Sequence, residues 1–183
     1  MTMMAWVMLA NVGACDGDSQ SPVLADRILI GEVDDDIFVA VVTDAEQVLA
    51  YVCDGTPAAA SIGLWFVGSH DGVGFSLTHE SGARLDGQLA DDSLAGNFTL
   101  GAQALEYAAA PAEGDAGLFL AQDEDELRGG WIVRADGSQR GAVLHRNTGD
   151  IVAAQPIMPS QSSVMLQALT LPLVRLIAPA FPG

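Results

Sequence analysis

A chain of 183 residues, half of them hydrophobic, is long enough to bury one domain core and too apolar for disorder along its whole length. Its 7 basic residues, all arginine, face 24 acidic ones, and a formal charge of −17 sets the surface against nucleic-acid backbones and anionic headgroups. Two cysteines are too few for the disulfide framework of a small secreted domain.

Residues 3–12, MMAWVMLANV, form an apolar run too short to cross a bilayer as a helix. Small residues follow, then the polar stretch DGDSQSP, which is the layout of a secretory signal peptide. Val12, Gly13, Ala14 and Cys15 together resemble the lipobox of bacterial lipoproteins. The resemblance covers only the first 15 residues. It implies a signal peptide over 1–14, cleavage before Cys15, a diacylglycerol on the Cys15 sulfur, and export to a membrane-anchored place at the cell envelope. Acyl chains hold such an anchor because each buried methylene contributes about 0.8 kcal/mol. Two alternatives stay open: export with ordinary cleavage, or a cytoplasmic chain in which 3–12 starts a strand or helix and Cys15 is inert. Without acylation an exported chain also allows a Cys15–Cys53 disulfide. The DGD at 16–18 lacks the downstream glutamate of a calcium loop, so 15–25 reads as linker.

From 26 to 156 the chain is a succession of short segments broken by Gly, Asp and Asn. Further strands are expected at 27–33, 37–43, 46–53 and 61–68. Val73, Phe75, Leu77 and His79 then alternate with polar or small neighbours, as on a strand with one dry face. Ala83, Leu85, Gly87 and Leu89 repeat the pattern. After a turn at ADDS, Leu94, Gly96, Phe98 and Leu100 repeat it again, which describes a β-hairpin. Leu105, Tyr107 and Ala109 continue it, and 117–121, 129–135, 138–146 and 149–154 complete the series. Strands returning at such short intervals predict an all-β domain, an antiparallel meander forming a barrel or sandwich of roughly nine to eleven strands.

The segments 37–42, 48–53 and 62–68 are apolar on both faces and need cover on both. The C-terminal part, 157–183, offers one cover. Its stretch 160–180 carries an apolar surface that suits a helix interrupted at Pro172, or extended chain, packing on the β-domain.

No residue pattern names a catalytic centre or a cofactor. His70 sits in a turn, whereas His79 and His145 fall on faces shared with Phe75 and Val143 and are the candidate ligand-binding residues. No HxH, HExxH or CxxC spacing accompanies them, so no metal site is expected. The acidic runs at 34–36, 91–92 and 123–126 read as solvated turns, and no serine has an esterase-elbow context. Phe75, Leu85, Leu89, Phe98 and Tyr107 are expected to form the core or the wall of a cavity. The expectation is a non-catalytic envelope lipoprotein, a binding or structural accessory module with a small apolar ligand or a protein partner. Two alternatives are a small hydrolase or isomerase pairing His79 with Glu80 or Asp86, and a subunit of an envelope assembly.

Overall fold

The computed structural model describes residues 27–90 and 92–180. The expected signal peptide, the linker and Cys15 lie outside the described residues, as does Asp91 of the ADDS turn. Among the described residues every regular element is a strand. Twelve fall between 27 and 153, against the nine to eleven expected, and the last of them is only three residues long.

The first eight form one sheet: β1 (Arg27–Asp34), β2 (Ile37–Thr43), β3 (Gln47–Cys53), β4 (Gly63–Ser69), β5 (Gly74–Thr78), β6 (Arg84–Ala90), β7 (Ser93–Leu100) and β8 (Gln103–Pro111). Their order is β4-β3-β2-β1-β8-β7-β6-β5, all antiparallel. Each strand therefore pairs with its chain neighbours, β8 closes back onto β1, and one seam remains between β4 and β5. At that seam the strands touch without a ladder. A side chain on Gly68 would begin 2.5 Å from Leu77, so the bare glycine lets the seam close. The sheet is thus a nearly closed up-and-down barrel.

The barrel is filled. Leu85 pairs with Phe98, both wholly buried, while their neighbours Asp86 and Asn97 pair on the outer face. Phe66 meets Phe98 edge-on at 6.4 Å, and Phe75, Leu94 and Leu29 complete the interior with Tyr107, whose hydroxyl donates to Asp86 O at 3.0 Å. Leu89 packs against this cluster only partly buried. Three positions expected on dry faces depart from them: Leu100 at the end of β7 is 37 % exposed and, on the segment of β5, Val73 is 62 % exposed and His79 half-buried. The strand begins at Gly74 and ends at Thr78, so the alternation no longer governs its flanks.

A second sheet lies across the outer face of β2, β3 and β4. It comprises β9 (Gly117–Gln122), β10 (Leu127–Val133), β11 (Gln139–His145), β12 (Ile151–Ala153) and, after the short hairpin of β13 (Ser163–Leu166) and β14 (Leu169–Pro172), β15 (Val174–Arg175). Alternation divides β3 between two cores: Val48, Ala50 and Val52 point into the barrel, and Leu49, Tyr51 and Cys53 point to the second sheet. Phe38 and Val42 of β2 join the latter group against Leu118, Leu120 and Ile132. The cover expected from the C-terminal segment is therefore supplied by β9–β11.

The segment instead covers the far side of that sheet, and it is extended rather than helical. Strands β9 and β10 are themselves apolar on both faces, so a third layer is required. Leu166, Leu171 and Leu173 bury Phe119, Trp131 and Val133, and the Trp131 indole donates to Gln155 O at 2.9 Å. Among the described residues of this segment, Leu176 alone reaches the middle core.

The middle core is keyed by an aromatic pair. Tyr51 and Trp65 stack at 4.2 Å, and both rings abut the backbone of β10 at Gly130. A Cβ there would lie 2.7 Å from each ring, a distance no repacking of two buried aromatics absorbs easily. Gly130→Val is expected to destabilise the protein by about 3 kcal/mol, the upper range for overpacking, measured by urea unfolding. A loss below about 0.5 kcal/mol, as for an indifferent surface change, would show that the sheets are not held in this register.

Candidate functional site

The barrel-facing side of β10 carries Arg128, Gly130 and Ile132 in alternation, and that of β11 carries Ala142 and Leu144, with Arg146 just beyond the strand. The apolar members bury against the barrel. The arginines fall past the end of the contact, where a cleft of about 400 Å³ opens between the two sheets. Trp65 and Val67 of β4 form one wall, and Thr78, His79 and Glu80 at the β5–β6 corner form another. Leu144, Arg128 and Arg146 face them from the second sheet.

Neutral groups are among the partners of both arginines. Arg128 Nε donates to Gln122 Oε1 at 3.0 Å. Arg146 Nη2 donates to the carbonyls of Asp123, at 3.1 Å, and Glu124. Arg146 Nε is buried without an acceptor. Burial, and then the neighbouring Arg146 charge, hold the Arg128 pKa below the usual arginine range. At the opposite end of the interface carboxylates meet the arginines. There Arg134 pairs with Glu32 and Arg140 with Asp36, both guanidinium groups lying over the Phe38 ring at 5.1 and 4.6 Å.

The two candidate histidines do not come together. His79 lies in the cleft with its ring edge-on to Phe66 at 5.8 Å, and its Nδ1 is met by Ser81 Oγ at 2.9 Å and by the Ser81 N–H at 3.1 Å. The carboxylate of Asp86 is taken by Arg84 at 2.8 Å. His145 looks from the opposite face of β11 toward the β13–β14 turn, where Gln167 Nε2 donates to its Nε2 at 3.0 Å. His70 ties two loops, its Nε2 2.9 Å from Asp44 O and its Nδ1 accepting from Gly72 N at 3.0 Å. Among the described residues no group of three or more His, Cys, Asp or Glu side chains is arranged to hold a metal ion.

Cys53 is a free thiol in the middle core, wholly buried, with Gly55 N–H donating to its Sγ at 3.2 Å. Burial pushes its pKa up to about 11, which keeps it protonated and unreactive at neutral pH.

Sequence reasoning missed the arginines. The strand expected at 129–135 begins at Leu127, and starting it too late leaves Arg128 outside the alternation. Reading ELRGGWIV in register with Gly130 and Ile132 puts Arg128 on the barrel-facing side.

The acidic residues serve the turns. Asp123 Oδ1 accepts from the backbone N–H groups of Asp125, Glu126 and Leu127 at 3.2, 2.7 and 2.8 Å, shaping the same turn whose carbonyls Arg146 binds. Asp44, Asp71 and Asp136 do the same elsewhere. These hydrogen bonds, led at Asp136 by one from the Ser138 hydroxyl, favour the ionised form and hold all four carboxyls below the ordinary aspartate range. The folded state therefore binds protons less readily than the unfolded one, and its stabilisation is complete at neutral pH and lost as pH falls through the lowered values. The thermal midpoint should fall on acidification below about pH 4, and Asp123→Asn, which keeps the acceptor but not the charge, should show a shallower fall. Equal slopes in scanning calorimetry would remove Asp123 from the acid response.

Comparison of the chain with protein-family models, curated proteins and solved structures gave no match.

Proposed function

We propose that the protein is an exported, lipid-anchored accessory module of the cell envelope, non-catalytic, acting through the outside of its β-domain. The observation that carries the non-catalytic part is the filled barrel. Phe66, Phe98, Leu85, Leu94 and Leu29 occupy the space in which a hollow barrel would take its ligand. A small apolar ligand inside the barrel is accordingly replaced in this reading by recognition at the surface. The hydrolase or isomerase alternative draws less support, because Nδ1 of His79 is met by Ser81 and Asp86 is committed to Arg84.

The anchoring part rests on the residues themselves: the apolar run 3–12, the small residues Gly13 and Ala14, and Cys15 before a polar stretch. A surface charge of −17 repels anionic headgroups, so a covalent lipid is the route to a membrane that this composition leaves most open. Cys53, sealed in the middle core, leaves Cys15 as the cysteine available for modification.

Expression in a bacterial host, with intact mass and membrane fractionation of wild type beside Cys15→Ser, tests the proposal. The wild type should lack residues 1–14, carry the mass of a diacylglycerol and sediment with membranes, while the variant should carry no lipid and remain in the supernatant. An uncleaved wild type in the supernatant would overturn the export reading.

A further inference from the structure

We infer that the outer surface of the C-terminal layer, residues 151–180, is the face that the protein lays on the lipid bilayer to which it is tethered, a placement that rests on the anchored reading above.

Charge sets this layer apart. All 24 acidic residues lie at or before Asp150, so 151–183 holds a single charged side chain, Arg175, in a chain of formal charge −17. Apolar exposure is concentrated in the same stretch. Of the nine large hydrophobic side chains exposed among the described residues, six belong to it: Val152, Met158, Met165, Leu169, Val174 and Ile177. The other three, Val67, Val73 and Leu100, belong to the barrel.

The β13–β14 hairpin shows how this surface is built. Its inward row, with Leu166 and Leu171, covers the second sheet. On its outward row Met165 stands opposite Thr170 and Ser163 opposite Pro172, all four exposed and none charged, with Met165 69 % exposed. Strands of this chain that face water are furnished differently. On the outside of the barrel Asn97 pairs with Asp86 on one side and with Glu106 on the other. The uncharged surface ends at the cleft where Pro172 and Val174 meet Asp123 and Glu124.

The occupant follows from charge and from the tether. Anionic headgroups repel the acidic faces of the domain, and repulsion is least where no carboxylate is present. Exposed methionine, leucine and isoleucine side chains gain there by leaving water at the boundary of headgroups and acyl chains. A second copy on this face would instead bring together two chains of −17 each. The stretch 16–26, between Cys15 and β1, reaches at most roughly 40 Å, enough for a domain of this size to lie against the membrane that holds its lipid. It joins the domain on the side of the C-terminal layer. Ile28 O accepts from the Ala112 N–H at 2.8 Å, the loop that follows ends at Ala116, and the Ala116 carbonyl accepts from Arg175. Ile28 and Leu176 also pack on the same core.

Hydroxyl-radical footprinting read by mass spectrometry tests this placement on the unaltered side chains. The full chain as expressed is reconstituted on vesicles of phosphatidylethanolamine and phosphatidylglycerol and compared with Cys15→Ser protein in vesicle-free buffer. With apolar side chains sunk about 5–10 Å into the lipid boundary, oxidation of Met158 and Met165 should fall about fivefold, while Val67 and Val73 react as in buffer. Met165→Asp combined with Leu169→Asp, two changes at exposed positions, should restore the reactivity of Met158 while the lipid keeps the protein on the vesicles. Equal reactivity of Met165 with and without vesicles overturns the inference, as does protection spread equally over Val67 and Val73. Protection of Met165 that grows with protein concentration in the vesicle-free sample assigns the face to a second copy and overturns it too. Intact mass of the same sample reports the lipid separately. An acylated chain with a reactive Met165 loses the face and keeps the anchor. A chain without lipid whose Met165 is protected by added vesicles loses the anchor and keeps the face, and one whose Met165 stays reactive loses both.

Discussion

The contact on which the rest of the molecule depends is the docking of Tyr51 and Trp65 against the bare backbone of β10. Both rings leave the outside of the barrel, stack on each other and end at Gly130. Burying two such side chains contributes several kcal/mol, on the order of 2 to 3 each, and stacked rings add somewhat more. The same contact determines where the second sheet can lie. Shifting β10 by one residue would bring Gly129 or Trp131 opposite the rings, and Trp131 belongs to the next layer. Register, layer separation and the position of the third layer therefore follow from one aromatic pair and one missing side chain.

Much of this was legible in the residues, and the limits have physical causes. Period-two alternation between Ala83 and Leu100 defines a hairpin, and the structure forms it, pairing Leu85 with Phe98 and Leu89 with Leu94. The two-sided strands 37–42 and 48–53 correctly signal a second cover. What alternation does not carry is the identity of that cover, because LFLA, WIV and the C-terminal leucines are equally apolar candidates. The C-terminal segment illustrates the same limit. Its leucines suit a helix by spacing, yet Gln167 takes a positive φ of 53° and turns the chain into a hairpin that lies flat on β9 and β10. Tertiary demand for a thin covering layer outweighs a weak helical preference in such a segment.

The acidity of the chain has a local explanation as well as a global one. A meander needs a tight turn every few residues, and aspartate builds such turns by accepting backbone N–H groups. Asp44, Asp71, Asp123 and Asp136 each do this, and Asp54 accepts from Ser61 and Ile62 across a longer loop. Charge accumulated for turn geometry needs no acidic or cationic ligand to account for it. The residues that stand out against this background are the arginines.

Their distribution completes the account of the interface. The second sheet presents arginines to the barrel at both ends of the apolar contact, where strands run past the core and side chains must again meet water. At one end Phe38 lies beneath two guanidinium groups and carboxylates answer them. At the other end Trp65 and the corner at 78–80 line a cleft. Strand β4 has no ladder to β5, and Trp65 and Val67 of β4 line this cleft together with Thr78 at the end of β5. The unpaired seam of the barrel thus lies beside the cleft that Arg128 and Arg146 enter from the second sheet.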